Sequence, residues 1–189
     1  DCLRARTLDE KGAEGLEQVY AAMLARSDAS KNLPWFAGYA SLVAAEFHRR
    51  AGDRVNALAA YDRAIARYDE AIQANPDNRS TADHYAAVAL GAKARIAYEA
   101  GDDAKAVTDV LASFARCAQA ANALDGLNLS TADTSKQLLA RLRRTDEALA
   151  AKLDAAMKQL DPALLEPPAY ARVTPPAGQG GERPRRRRG

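Results

Sequence analysis

Reactive side chains are scarce in this chain of 189 residues, which holds two histidines, two cysteines, one tryptophan and two methionines. The nearest carboxylate to His48 is Glu46, two positions away, and a helix turns residues at that spacing onto different faces. The motifs HExxH, GxSxG and GxxxxGK[ST] are absent. So is the ExxH pair of carboxylate-bridged metal bundles. His48 and His84 fall near helix ends, where surface or structural roles are expected. Neither Cys2 nor Cys117 has a CxxC neighbour, which excludes a zinc knuckle and thioredoxin-like chemistry. Cys117 lies on an apolar helical stripe and reads as a buried thiol. A Cys2–Cys117 disulfide is left open by the sequence. No catalytic residue, metal ligand or cofactor is expected, and the chain reads as a non-enzyme.

Long apolar runs are missing too, so no segment is expected to span a bilayer. No period-2 alternation is long enough for a sheet. Aromatics make up only 6% of the residues, while hydrophobic residues as a whole reach 48%. Alanine dominates that set; it is the best helix former and lets helices approach closely. The length suits one domain with a sizeable core.

The net charge of +2 is unevenly spread. Residues 172–189 carry six arginines against Glu182, a sum of +5, which leaves −3 for the rest. A basic nucleic-acid groove is therefore not indicated in the body. The tail from 162 to 189 is rich in proline, glycine and arginine and reads as extended or disordered. Arg185, Arg186, Arg187 and Arg188 make it a solvated end, a handle for an acidic protein or anionic membrane, or a nucleic-acid arm. An Arg-rich, Ala-rich chain that begins at Asp1 is compatible with an exported bacterial protein.

The body, residues 1–161, reads as six helices at roughly 8–26, 33–51, 54–74, 81–100, 103–124 and 131–160. Thr7-Leu8-Asp9-Glu10 has a capping-box pattern. The first stripe is Leu16, Val19, Tyr20, Met23 and Leu24. Pro34 sits in the first turn of the second helix, where it is tolerated, and Trp35 beside it reads as a core anchor. The third helix carries Leu58, Tyr61, Ile65, Tyr68 and Ile72, and its doubled YD-x-AI writes one seam twice. Leu138, Leu142, Leu149, Leu153, Met157 and Leu160 mark the inward face of the last helix. Arg143-Arg144-Thr145-Asp146 is a candidate turn within it, though no glycine or proline forces one.

Breaks recur. Ala51-Gly52-Asp53 and Ala100-Gly101-Asp102 each place a glycine to end one helix and an aspartate to cap the next. Serine-led clusters at Ser30, Ser80 and Ser130 stand fifty residues apart and read as N-caps. Ala57 and Ala106 share the same offset from the glycines, and a small residue there lets a hairpin close. This pattern, in AGDRVNALAAYDRAIARYDEAIQANP, resembles the tetratricopeptide repeat in its Gly-Asp turn, Ala57, Tyr61, Ala64 and Pro76. The second unit keeps Gly101, Asp102 and Ala106, with Val110 and Ser113 at the aromatic and alanine positions. The unit is longer than the usual repeat, and the doubled YD-x-AI supplies the extra turns. The resemblance covers roughly Ser30 to Leu124.

The resemblance implies an all-α right-handed superhelix of stacked antiparallel hairpins, capped by the last helix. It also implies a groove lined by the first helix of each hairpin. Tyr39, Leu42, Glu46 and Arg49 would face it from one helix, and Val88, Gly91, Arg95 and Tyr98 from the next, with Gly91 leaving room for a ligand. Two functions are expected from this. One is a scaffold that binds a partner protein through the groove or the basic tail. The alternative is a structural subunit knitted into an assembly by its long last helix and tail.

Overall fold

The computed structural model describes residues 10–26, 28–119 and 129–160. Among them every regular element is helical, and no strand occurs. Seven α-helices follow in order: α1 Glu10–Leu24, α2 Leu33–Ala51, α3 Arg54–Ala74, α4 Arg79–Ala100, α5 Asp103–Cys117, α6 Leu129–Thr145 and α7 Glu147–Lys158. A 3-10 turn, Pro76–Asn78, leads into α4. The Arg-rich tail, the capping-box residues Thr7 to Asp9 and the Asp125-Gly126 break lie outside the described residues.

The two Gly-Asp breaks are hairpin turns. Gly52 and Gly101 are left-handed, at φ 80° and 81°, a region where a β-carbon is disfavoured. Asp53 then accepts from the Asn56 amide at 3.1 Å, and Asp102 from the Lys105 amide at 3.0 Å. Ala57 and Ala106, four residues past each aspartate, are fully buried. The chain thus reverses in two residues, and α2 packs along α3 as α4 packs along α5.

The last element departs from the single helix expected at 131–160. It is a third hairpin, because Asp146 leaves helical geometry and caps α7 through the Leu149 amide at 3.0 Å. No glycine is needed, since Asp146 is extended rather than left-handed. Ala150 repeats the buried alanine at the same offset of four. The proposed long cap of the stack is therefore absent.

Other boundaries also shift. The serine clusters do not cap: α2 starts after Asn32 and α4 after Asn78, neither with a side-chain cap. Ser80 already lies inside α4, because the 3-10 turn runs straight into it. On α1, Val19 and Met23 are exposed at 55% and 42%; this outermost described helix packs mainly on α2, with Glu17 bonded to Arg63 of α3 at 2.9 Å, and this side of its stripe faces away. Ile65, Leu149 and Leu160 are half-buried rather than buried.

Two core clusters follow the hairpins. The first joins Leu42, Ala57, Tyr61, Tyr68, Ile72 and Ile96, and the second joins Val107, Val110, Phe114, Leu138, Leu142 and Leu153. An ion network links the units. Arg116 of α5 donates to buried Asp83 of α4 at 2.7 Å and also to Asp69 of α3. A carboxylate buried this deeply needs such a partner, and the pairing fixes the rotation of the first turns of α4.

Candidate functional site

The start of α2 is tied to the α3–α4 connection. Asn32 Oδ1 accepts from Asn75 Nδ2 at 2.7 Å and from Asn78 Nδ2 at 3.2 Å. Trp35 Nε1 donates to Thr81 Oγ1 at 3.1 Å, and Thr81 in turn donates to the Asn78 carbonyl. These bonds hold the first turns of α2 and α4 side by side and place an aromatic cluster across them. The Trp35 and Tyr39 rings lie parallel with centroids 6.0 Å apart. Tyr85 of α4 stands edge-on to both at 5.7 Å. Phe36, 48% exposed, meets Trp35 edge-on and stacks on Tyr20 of α1. Trp35, Tyr39 and Tyr85 are half-buried, so the rings pack on the core and still meet solvent.

Tyr68 of α3 lies beneath them, fully buried, with its ring 5.9 Å from Tyr85 and 6.4 Å from Trp35. Gly38 makes room for it, since a β-carbon there would come within 2.9 Å of the Tyr68 ring. The Tyr68 hydroxyl has no hydrogen-bond partner. Burial, and then the neighbouring Tyr85 and Tyr39, push its pKa well above the ordinary phenol value.

The residues expected to line a groove separate into three groups. Tyr39 belongs to the aromatic cluster. Leu42 is buried core at 7% exposure and cannot line a groove in this state. Glu46 and Arg49 form a fork-like pair, with Arg49 Nη2 2.8 Å from Glu46 Oε2, and the Tyr61 hydroxyl of α3 donates to the same carboxylate. Burial pushes the Glu46 pKa up, but the bonds from Arg49 and Tyr61 outweigh it and hold the carboxyl below its usual range. This group is a lock between α2 and α3.

The α4 half is closed by the third hairpin. Gly91 leaves no room for a ligand, because the Thr131 side chain of α6 occupies the place a β-carbon would take. Val88 is half-buried. Tyr98 is half-buried against the second core and lies under the Arg141 guanidinium, 4.2 Å from the ring centroid. Arg95 is exposed and bonds Glu99 at 2.9 Å. Around Arg95 and Tyr98 only a cleft of about 190 Å³ remains between α4 and α6. Arg185 to Arg188 lie outside the described residues.

Sequence reasoning missed Tyr85, while Trp35, read as a core anchor, does pack against the first core cluster and keeps a part-exposed edge. The signal was there: Trp35 and Tyr39 stand one helical turn apart, and Tyr85 falls in the second turn of α4, which starts at the same end of the stack. Cys117 is a free, fully buried thiol, and burial pushes its pKa up to about 11. His48 is buried at the end of α2, with Nδ1 3.9 Å from Asp53. His84 lies edge-on to Tyr85. Among the described residues no group of three or more His, Cys, Asp or Glu could hold a metal ion. No helix among them is long and apolar enough to cross a membrane. No family model, curated protein or solved structure matches the chain.

Proposed function

We propose that this chain is a tetratricopeptide-like interaction scaffold that holds a segment of a partner protein against the faces of α2 and α4. The observation that carries this reading is the aromatic cluster of Trp35, Phe36, Tyr39 and Tyr85, half-buried to exposed on two helices held in register by the Asn32 and Thr81 bonds. Rigid aromatic side chains give large contact area at low entropic cost, and such residues dominate binding energy at interfaces. The test is affinity capture from the native source with the wild-type chain and with a Tyr39→Ala/Tyr85→Ala variant. A partner held by the wild type and lost by a variant of unchanged helicity supports the scaffold. Equal capture by both removes this face from the reading.

The alternative, a structural subunit of a larger assembly, draws on Val19, Met23 and Phe36, which are exposed at 55%, 42% and 48% on the outermost described helix pair. A terminal repeat with an apolar outer face needs a neighbour. On this reading the isolated chain self-associates, and a Val19→Lys/Met23→Lys variant is monodisperse in sedimentation analysis.

A further inference from the structure

We infer that a cavity between α1, α2 and α3 is a binding site for a small monocarboxylate, anchored by the Arg67 guanidinium and the Ser41 hydroxyl. The cavity shares no residue with the aromatic cluster, so the inference goes beyond the scaffold reading.

The space arises where small residues face one another. Ala21 of α1 meets Ala37 and Ser41 of α2, and a volume of about 350 Å³ is left between them and α3. That is the lower end of the range for small-molecule pockets. Ala37 and Ser41 stand one turn apart and two residues from Trp35 and Tyr39, which turns them onto a different face of α2. Glu17 and Gln18 border the cavity from α1, and Arg63 and Arg67, one turn apart, border it from α3. Gln18 and Ala21 are exposed, so the cavity opens to water on the α1 side.

Two groups in it have unused hydrogen-bonding capacity. Arg63 turns its Nε and Nη2 onto Glu17, at 3.1 and 2.9 Å, and Arg49 uses the same edge on Glu46. Arg67 gives only Nη1, to Glu70 at 2.6 Å, and its Nε–Nη2 edge has no partner among the described residues. Ser41 is 5% exposed, and its hydroxyl makes no hydrogen bond among them either. A helical hydroxyl ordinarily bonds the carbonyl one turn back, as Thr108 does to Ala104 and Ser135 to Thr131. A buried hydroxyl without a partner costs stability, and a ligand oxygen completes it.

Charge then sets the class of ligand. The Glu17 side chain, only 15% exposed, already balances Arg63, and Glu70 shares Arg67. A dianion such as phosphate meets the Glu17 carboxylate with one guanidinium edge to hold it, and is disfavoured. A carboxylate carries a single charge, and its two oxygens match the Nε–Nη2 fork. Ala21 and Ala37 leave room for a short carbon chain. The Gln18 amide and Ser41 hydroxyl can each donate and accept, which suits a hydroxyl beside the carboxylate.

The experiment titrates lactate, its neutral amide lactamide, and inorganic phosphate into the full chain, followed by ligand-observed NMR. Three variants are compared with wild type: Arg67→Gln, Ala21→Leu and, as a control at an exposed arginine outside the cavity, Arg95→Gln. The site predicts saturable lactate binding, weakened roughly tenfold or more by Arg67→Gln, as loss of a charge-assisted fork should do. Ala21→Leu fills the cavity from an exposed position and should abolish binding at unchanged helicity, while Arg95→Gln should bind as wild type does. Lactamide should bind at least about tenfold more weakly than lactate, for the same reason. No saturable lactate binding by the wild type would overturn the inference. So would equal binding by Arg67→Gln or Ala21→Leu, or equal binding of lactamide. Phosphate held more tightly than lactate would overturn the assignment to a monocarboxylate. None of these titrations reads partner capture, so the scaffold reading is judged separately.

Discussion

Helices α2 and α4 occupy equivalent places, each ended by a left-handed glycine and followed by an Asp-capped helix, yet their later turns are covered differently. Counted back from the glycine, Trp35 corresponds to His84, Tyr39 to Val88, Leu42 to Gly91 and Arg49 to Tyr98. At the first two positions both helices stay part-exposed, with rings at Trp35 and Tyr39 on α2 and with His84 and Val88 on α4. On α4 the later positions are sealed, Gly91 by Thr131 and Tyr98 by Arg141. Local turn chemistry fixes the hairpin in both units, whereas the next hairpin in the stack decides whether its outer face stays open. A groove drawn from one repeat therefore does not transfer to its neighbour.

The largest expected effect separates the two cores. Tyr68 and Cys117 stand fifteen residues past their capping aspartates, and both are fully buried. Tyr68→Ala should cost about 3–5 kcal/mol, in the range of large-to-small aromatic truncations. Cys117→Ala removes one heavy atom and should cost about 1 kcal/mol. Denaturant unfolding of both variants checks the ratio, and equal losses would mean that the Tyr68 ring is not a keystone.

Next comes pH. The folded pKa values of Tyr61 and Tyr68 are raised, first by burial and then, for Tyr61, by its bond to Glu46. Their contribution is thus complete below the unfolded value near 10 and is lost as pH rises from there toward the folded value, by up to about 1.4 kcal/mol per pH unit and ring. Replacing both with Phe should flatten the alkaline limb of a stability profile. The depressed Glu46 works in the opposite direction, its contribution being present above the usual carboxylate range and lost in acid.

The sealed face is tested by Gly91→Ala, which should cost about 1–3 kcal/mol because the new methyl meets Thr131. Adding Thr131→Ala should recover much of that loss, and a double-mutant cycle measures the coupling. If the cycle closes without coupling, α6 does not sit on α4 as described.

The turns should behave alike. At both Gly52 and Gly101 a β-carbon would meet nothing within 4 Å, so the penalty of alanine is backbone strain alone, roughly 1 kcal/mol at each. A large difference between the two melting shifts would break the equivalence of the units. Smallest of all, Arg95→Ala should stay within about 0.5 kcal/mol of wild type, as exposed i,i+4 pairs do.

Much of the fold was legible because its signals are local. A glycine that must be left-handed, an aspartate that must cap and an alanine that must be small announce themselves within five residues. From sequence the third hairpin is only a candidate turn at Arg143 to Asp146, because Asp146 ends α6 without glycine, although the aspartate and alanine of DEALA repeat those of DRVNA and DDAKA. The site was legible only in part. Tyr39 could be placed on its face by helical period, but the burial of Leu42, the sealing of Gly91 and the meeting of Trp35 with Tyr85 depend on which helix lies next door, and nothing in the local pattern encodes that.

The central claim is that the first turns of α2 and α4 stay open while the later turns of α4 are covered by the third hairpin. A photo-cross-linking residue placed at position 39 in one variant and at position 98 in another tests it directly, in the full chain and in extracts of the native source. The account predicts adducts to a partner from position 39 and only weak labelling from position 98. Adducts as strong from position 98 as from position 39 would contradict it.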